Sequence, residues 1–257
     1  MVLAVNIGNT HITIGVRGEE SWQFTARLRT ALPCSTDEYA IRLLEILELY
    51  QTDRAQIDGA ILGSVVPSLT NSVLAAIQKL FPGRIYTVGP GLKSGLQIGI
   101  DDPAQLGAEL VCGAVAALEL APPPLIVLCA DTALSLMAVD RSRKLVGGVI
   151  AAGPQVAVQA LVANAAQLSE IEHSKAPDSI LGTNTAACLR VGSVWGTALM
   201  LDGLFQKMEE ELGSPASIVA TGALPQAVLS CCRSNIRYVP TLILDGMYQI
   251  YRRNARL

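Results

Sequence analysis

Short apolar runs broken by small polar turns set the rhythm of this chain. Val2-Leu3-Ala4-Val5 is one such run, Asn6-Ile7-Gly8-Asn9-Thr10 breaks it, and Ile12-Thr13-Ile14-Gly15 resumes it. Apolar runs bounded by turn residues predict strands. A third strand is expected over Ser21 to Leu28. Thr36-Asp37-Glu38 then signals a helix start, with Ile41, Leu44, Ile46 and Leu47 as its apolar positions. Ala60-Ile61-Leu62-Gly63 predicts a short buried strand. Ser64 to Ser68 is a turn into a helix carrying Leu69, Val73 and Ile77, and Arg84 to Val88 is another strand. Gly107 to Leu120 is Ala-rich and helical, and Pro122-Pro123-Pro124 is the clearest punctuation in the chain.

Beyond that triplet the opening pattern returns. Leu125 to Cys129 is a strand, Ala130-Asp131-Thr132-Ala133 a turn, Leu134 to Val139 a strand, and Leu145 to Ile150 a third. Helices from Thr185 to Leu212, a strand at Ile218-Val219-Ala220, a turn at Thr221-Gly222 and a last helix from about Leu242 to Arg253 follow. A three-strand meander followed by helix and strand units, occurring twice, predicts an α/β fold. It should consist of two ribonuclease-H-like, actin-like domains, each a mixed sheet flanked by helices. The expected division is 1–120 and 121–257, with Asn6–Thr10 and Ala130–Ala133 facing each other across a cleft.

Composition narrows the classes. Of 257 residues, 51% are hydrophobic and 16% charged, which fits a core-rich globular protein and excludes a disordered one. The net charge of −3, without a long basic run, argues against a nucleic-acid partner. Cys34, Cys112, Cys129, Cys188, Cys231 and Cys232 form no CxxC pair, so buried free thiols in a cytoplasmic protein are expected. No secretory leader opens the chain, and no uninterrupted apolar stretch reaches spanning length, so no membrane role is expected.

The motifs, taken in order, resemble the type III pantothenate kinase family. Asn6-Ile7-Gly8-Asn9-Thr10 is similar to the family's Asp-x-Gly-Asn-Thr. Thr36-Asp37-Glu38-Tyr39 and Ser64-Val65-Val66-Pro67 match two further blocks. Gly107-Ala108-Glu109-Leu110 stands for Gly-Ala-Asp-Arg, and Cys129-Ala130-Asp131-Thr132-Ala133 for Asp-Phe-Gly-Thr-Ala. Gly147 to Ile150, Gly182 to Thr185 and Thr221-Gly222-Ala223 complete the series. The resemblance implies a homodimeric kinase of coenzyme A biosynthesis that phosphorylates pantothenate with ATP, Mg²⁺ and a monovalent cation. It places the nucleotide at Asn6, Gly8, Asn9, Thr10, Asp131, Thr132 and Gly222. It places pantothenate at Ile100, Gly107, Leu110 and Thr185, the base at Glu109, and metals at Asn6, Cys129 and Asp131. The second domain would carry most of the dimer interface.

The departures fall on the charged chemistry. Asn6 replaces an aspartate that serves the metal–phosphate region, and an amide supplies no negative charge for Mg²⁺. Glu109 is one methylene longer than the family base. Leu110 replaces the arginine that grips the pantothenate carboxylate, and leucine offers no donor. Cys129 replaces the monovalent-cation aspartate, with Asp131 two residues on as a partial substitute, and Ile100 replaces a substrate tyrosine. Thr185, which the family lends across the dimer, is kept. Plain structural roles stand beside these. Asn9 and Thr10 suit any turn, Glu109 would complement a helix dipole, and Cys129 is a good strand residue. Three readings follow: an impaired subunit that completes the site of a paralogous kinase in a heterodimer; an active kinase for pantothenate or another small alcohol; and a non-catalytic nucleotide- or metabolite-binding regulator.

Overall fold

The computed structural model describes the chain except residues 31–33, 166–167, 169–170, 172–174 and 256–257. Its elements begin with β1 (Val2–Ile7), β2 (His11–Arg17), β3 (Trp22–Arg29), α1 (Thr36–Leu49), β4 (Gly59–Ser64), α2 (Pro67–Leu80) and β5 (Arg84–Thr87). There follow β6 (Gln97–Ile98), α3 (Ala108–Leu120), β7 (Leu125–Ala130), β8 (Ala133–Val139), β9 (Lys144–Ala152) and α4 (Pro154–Asn164). The chain closes with α5 (Thr185–Leu212), β10 (Ser217–Gly222), α6 (Gln226–Cys231), β11 (Ile236–Tyr238) and α7 (Leu242–Ala255).

The chain packs into two compact units. Unit 1 holds Met1–Leu96, Asp101–Ala116 and Thr241–Leu257; unit 2 holds Gln97–Ile100 and Ala117–Pro240. The division differs from a break after residue 120: it falls inside α3, and α7 returns to unit 1. The physical reason is the buried stripe Leu244, Met247, Ile250 and Tyr251 of α7, which covers β1 and β4. Gly246 sits in that stripe, where any Cβ would run into the Cys112 carbonyl of α3.

Each unit is built on the same sheet. In unit 1 the order is β3-β2-β1-β4-β5, an antiparallel meander followed by two parallel strands. In unit 2 the order β11-β10-β7-β8-β9-β6 repeats it: β7, β8 and β9 are the meander, β10 and β11 add in parallel, and β6 extends the β9 edge. The repeat in the apolar pattern is therefore a repeat of topology.

Alternation along the strands decides which face each residue serves. Leu3, Val5 and Ile7 of β1 join the core beneath α1 and α2. Asn6 points to the other face, toward α3 and α7. In β7, Ile126, Leu128 and Ala130 join the core beneath α5 and α6, so Cys129 takes the opposite face.

Helix ends follow local chemistry. Ser35, one residue before the expected start, caps α1 in a reciprocal box with Glu38: the Glu38 N–H donates to Ser35 Oγ at 3.3 Å, and the Ser35 N–H donates to Glu38 Oε2 at 2.7 Å. Asn184 caps α5, accepting from the Ala187 N–H at 2.9 Å, and Gly213 ends it at φ +69°. Among the described residues, no helix is long and apolar enough to cross a membrane.

Candidate active site

The first candidate cluster sits where β1 ends in unit 1. Gly8 to Thr10 form the turn into β2, and Gly8 is buried while Asn9 and Thr10 are exposed. The Gly8 N–H donates to the His11 carbonyl at 2.9 Å. Thr30 fastens the turn from β3: its N–H donates to Thr10 O at 2.9 Å and its hydroxyl to Gly8 O at 2.7 Å. Sequence reasoning missed Thr30, because nothing in the apolar pattern singles out one threonine beyond a strand end.

Asn6, the penultimate residue of β1, is 5% exposed. Its Nδ2 donates to Glu109 Oε1 at 2.8 Å. Glu109 lies in the first turn of α3, which Gly107 starts; the Leu110 N–H donates to the Gly107 carbonyl at 3.0 Å. The two site positions meet although 103 residues separate them. Asn6 Oδ1 is buried and has no hydrogen-bond partner among the described residues. It faces Gly63, the residue beside Asn6 on β4, where a Cβ would stand 3.3 Å from it and 3.5 Å from the Met247 methyl. Leu110 is the next residue of α3 and is half-buried.

The second cluster sits where β7 ends in unit 2. Cys129 is 8% exposed, paired with Ser135 on β8 and Thr221 on β10. Asp131 does not share a strand face with it, because β7 stops at Ala130; Asp131 and Thr132 are exposed in the following turn. The Asp131 N–H donates to Ala133 O at 2.9 Å, and Thr132 O accepts from the Gly153 N–H at 3.0 Å. Gly222 closes the cluster from β10 at φ +100°, and any Cβ there would collide with the Ala130 carbonyl. The Tyr238 hydroxyl, also missed in the sequence, donates to Gly222 O at 2.5 Å. Ile100 and Thr185 belong to unit 2 as well: Ile100 follows β6, and Thr185 is the exposed first residue of α5.

The repeated meander with parallel fourth and fifth strands defines the actin-like kinase fold. A ROK hexokinase from Thermus thermophilus shares that fold, with a TM-score of 0.51, 11% identity, and coverage of 98% of this chain and 99% of the other. The type III pantothenate kinase family pattern matches residues 2–207, and the chain belongs to that family. Type III pantothenate kinase of Exiguobacterium sibiricum is 34% identical over 255 residues, covering 99% of this chain and 100% of that protein. The protein of the same name from Agathobacter rectalis is 35% identical over 257 residues, covering 100% and 98%. The family belongs to coenzyme A biosynthesis and implies pantothenate and ATP as substrates, with a divalent metal.

The residues present do not fit a divalent ion bound directly through position 6. Asn6 brings no charge, and its one oxygen faces Gly63 and Met247. Cys129 presents a sulfur inside the sheet, whereas an alkali cation takes hard oxygen ligands. Among the described residues no group of three His, Cys, Asp or Glu side chains is placed to hold a metal.

Proposed function

We propose that this chain is an ATP-dependent phosphotransferase subunit that keeps its proton acceptor, Glu109, and handles pantothenate weakly on its own. The hydrogen bond between Asn6 and Glu109 carries this reading. Both positions depart from the family pattern, yet they fit one another: the longer carboxylate reaches the amide. Unselected decay gives no reason for such a fit. The turns at Gly8–Thr10 and Asp131–Thr132, with Gly222, have the small and hydroxyl-bearing residues that meet phosphate oxygens. Leu110 leaves a substrate carboxylate without a bidentate partner.

A coupled phosphorylation assay on the pure chain tests this with pantothenate and with pantothenol, in which an alcohol replaces the carboxylate. Turnover is expected below the ordinary range of roughly 1–10³ s⁻¹, with little preference between the two. Leu110→Arg should raise kcat/KM for pantothenate selectively, by about tenfold or more, since a hydrogen bond to a charged group contributes about 1.5–3 kcal/mol. Ordinary turnover of pantothenate by the unaltered chain would refute the reading. Nucleotide binding without transfer to any acceptor would make the chain a non-catalytic regulator.

A second reading places this weak subunit in an assembly. Unit 2 exposes Ile150 on β9 (70%), Leu161 on α4 (51%), and Leu199 on α5 (47%), large apolar side chains suited to burial against another subunit. Thr185 is exposed on the same α5. The chain would form a homodimer alone, or a heterodimer with a paralogous kinase whose site Thr185 completes. Thr185→Ala should then lower the activity of the mixed complex without preventing its assembly.

A further inference from the structure

We propose that Asn6 is the positioning residue of Glu109, and that the two act as one donor–acceptor unit. The proposal deepens the phosphotransferase reading and rests on it for its kinetic test. A carboxylate oxygen accepts and does not donate, so the Asn6 end at 2.8 Å from Glu109 Oε1 is the NH₂ end. That choice sends Oδ1 the other way, against Gly63 and the Met247 thioether, where no donor among the described residues reaches it. Leaving a buried acceptor unpaired is unfavourable. The arrangement makes sense when the N–H end of the amide has a task, and the bond it makes is to Glu109.

The geometry also says why the residue is an amide. An aspartate at position 6 would set two acceptor oxygens about a hydrogen bond apart, with no donor between them. An alanine would remove the donor that the strand holds against Glu109 Oε1. The strand fixes the donor: Asn6 pairs with Thr13 on one side and Gly63 on the other, in the middle of the sheet. A long, flexible carboxylate on a helix is thereby tied to a rigid strand. Misplacement of a reacting group by about 1 Å can lower a rate on the order of 10²-fold.

The test is a double-mutant cycle read in kcat, KM and melting temperature. Asn6→Ala should lower kcat by roughly ten- to a hundredfold and leave KM for ATP within about twofold, a split that a general loss of structure would not give. In a Glu109→Gln background, Asn6→Ala should lower the residual rate no further, because residues acting as a unit are non-additive. Asn6→Asp should lower the melting temperature, and Asn6→Asp with Glu109→Gln, which reverses donor and acceptor, should restore it without restoring turnover. Equal rate losses from Asn6→Ala in both backgrounds would overturn the proposal. So would a melting temperature that the reversed pair fails to recover. A chain that phosphorylates no acceptor would sink the phosphotransferase reading alone, and the melting cycle would still decide whether the two residues form a unit.

Discussion

The two units repeat one sheet topology and differ near the end of its central strand. Asn6 and Cys129 occupy the same place: each is the penultimate residue of the central strand, on the face turned away from the main helix pair. Each has a strand partner on either side, Thr13 and Gly63 for Asn6, Ser135 and Thr221 for Cys129. In unit 1 that place is polar and tied to a carboxylate. In unit 2 it holds a thiol. The topology makes two equivalent positions, and the sequence puts an amide hydrogen-bonded to a carboxylate at one of them. A repeated fold therefore does not imply a repeated function, and side chains must be read position by position.

The largest expected effect breaks that comparison at its polar end. Glu109→Gln keeps the shape and removes the carboxylate proposed as proton acceptor, so kcat should fall by roughly 10²–10⁴-fold, the usual contribution of a general base. Cys129→Ser is the matching test in unit 2. It buries a hydroxyl in place of a thiol and should mainly change stability, by about 0.5–3 kcal/mol, the usual range for a buried substitution. If the serine lowers the rate as much as the glutamine does, the two places are chemically alike and the contrast fails.

Much of this was legible in the sequence, for reasons that particular residues make plain. The meander, its repeat and the helical character of residues 185–212 follow from apolar runs and turn residues, which act locally; that this stretch is one unbroken helix does not. The family followed from motif order. The return of α7 to unit 1 was not legible, since Met247 and Ile250 look like any apolar stripe until the sheet they cover is known. The helix α4 gave little signal: it is uncharged, with Leu161 exposed. At the site, Glu109 and Asn6 were both singled out, but as separate losses. Their hydrogen bond joins residues far apart in the chain, and no spacing rule predicts such a pair. Thr30 and Tyr238 were missed because each acts through a single hydrogen bond to a turn carbonyl.

A second prediction sharpens the contrast through unit 2's sulfur. Cys232, at the end of α6, has its thiol pushed up to about 12, first by burial and then by the Asp202 carboxylate and Cys231 nearby. The thiolate is the reactive form. At pH 8 its fraction should be on the order of 10³-fold below that of an ordinary thiol with a pKa of about 8.5. Cys188 is exposed on the first turn of α5. Timed alkylation with mass spectrometry should label Cys188 well before Cys232. Rapid labelling of Cys232 at pH 8 in the folded protein would show that unit 2's interior opens far more readily than its packing implies.

The smallest effect compares the residues that end the fourth strand of each sheet. Ser64 lies beside Ile7, and Gly222 lies beside Ala130, so they are equivalent. Unit 1 closes its turn with a hydroxyl: Ser64 Oγ accepts from the Val66 N–H at 3.1 Å and from the Thr70 hydroxyl at 2.8 Å. Unit 2 closes it with a bare backbone: Gly222 takes φ +100°, and the Ala223 N–H donates to Ala130 O at 2.6 Å. One solution depends on a side chain and the other on its absence. Gly222→Ala forces a β-carbon into a left-handed conformation and against the Ala130 carbonyl, and should destabilise by about 1–3 kcal/mol. Ser64→Ala removes hydrogen bonds from a half-buried turn, where water can replace part of them, and should lose only about 0.5–1.5 kcal/mol. At about 2–4 °C per kcal/mol for a chain of this size, thermal unfolding separates the two. If Ser64→Ala lowers the melting temperature more than Gly222→Ala does, the side-chain clasp of unit 1 outweighs the glycine turn of unit 2. The stronger closure would then belong to the unit that carries Asn6 and Glu109.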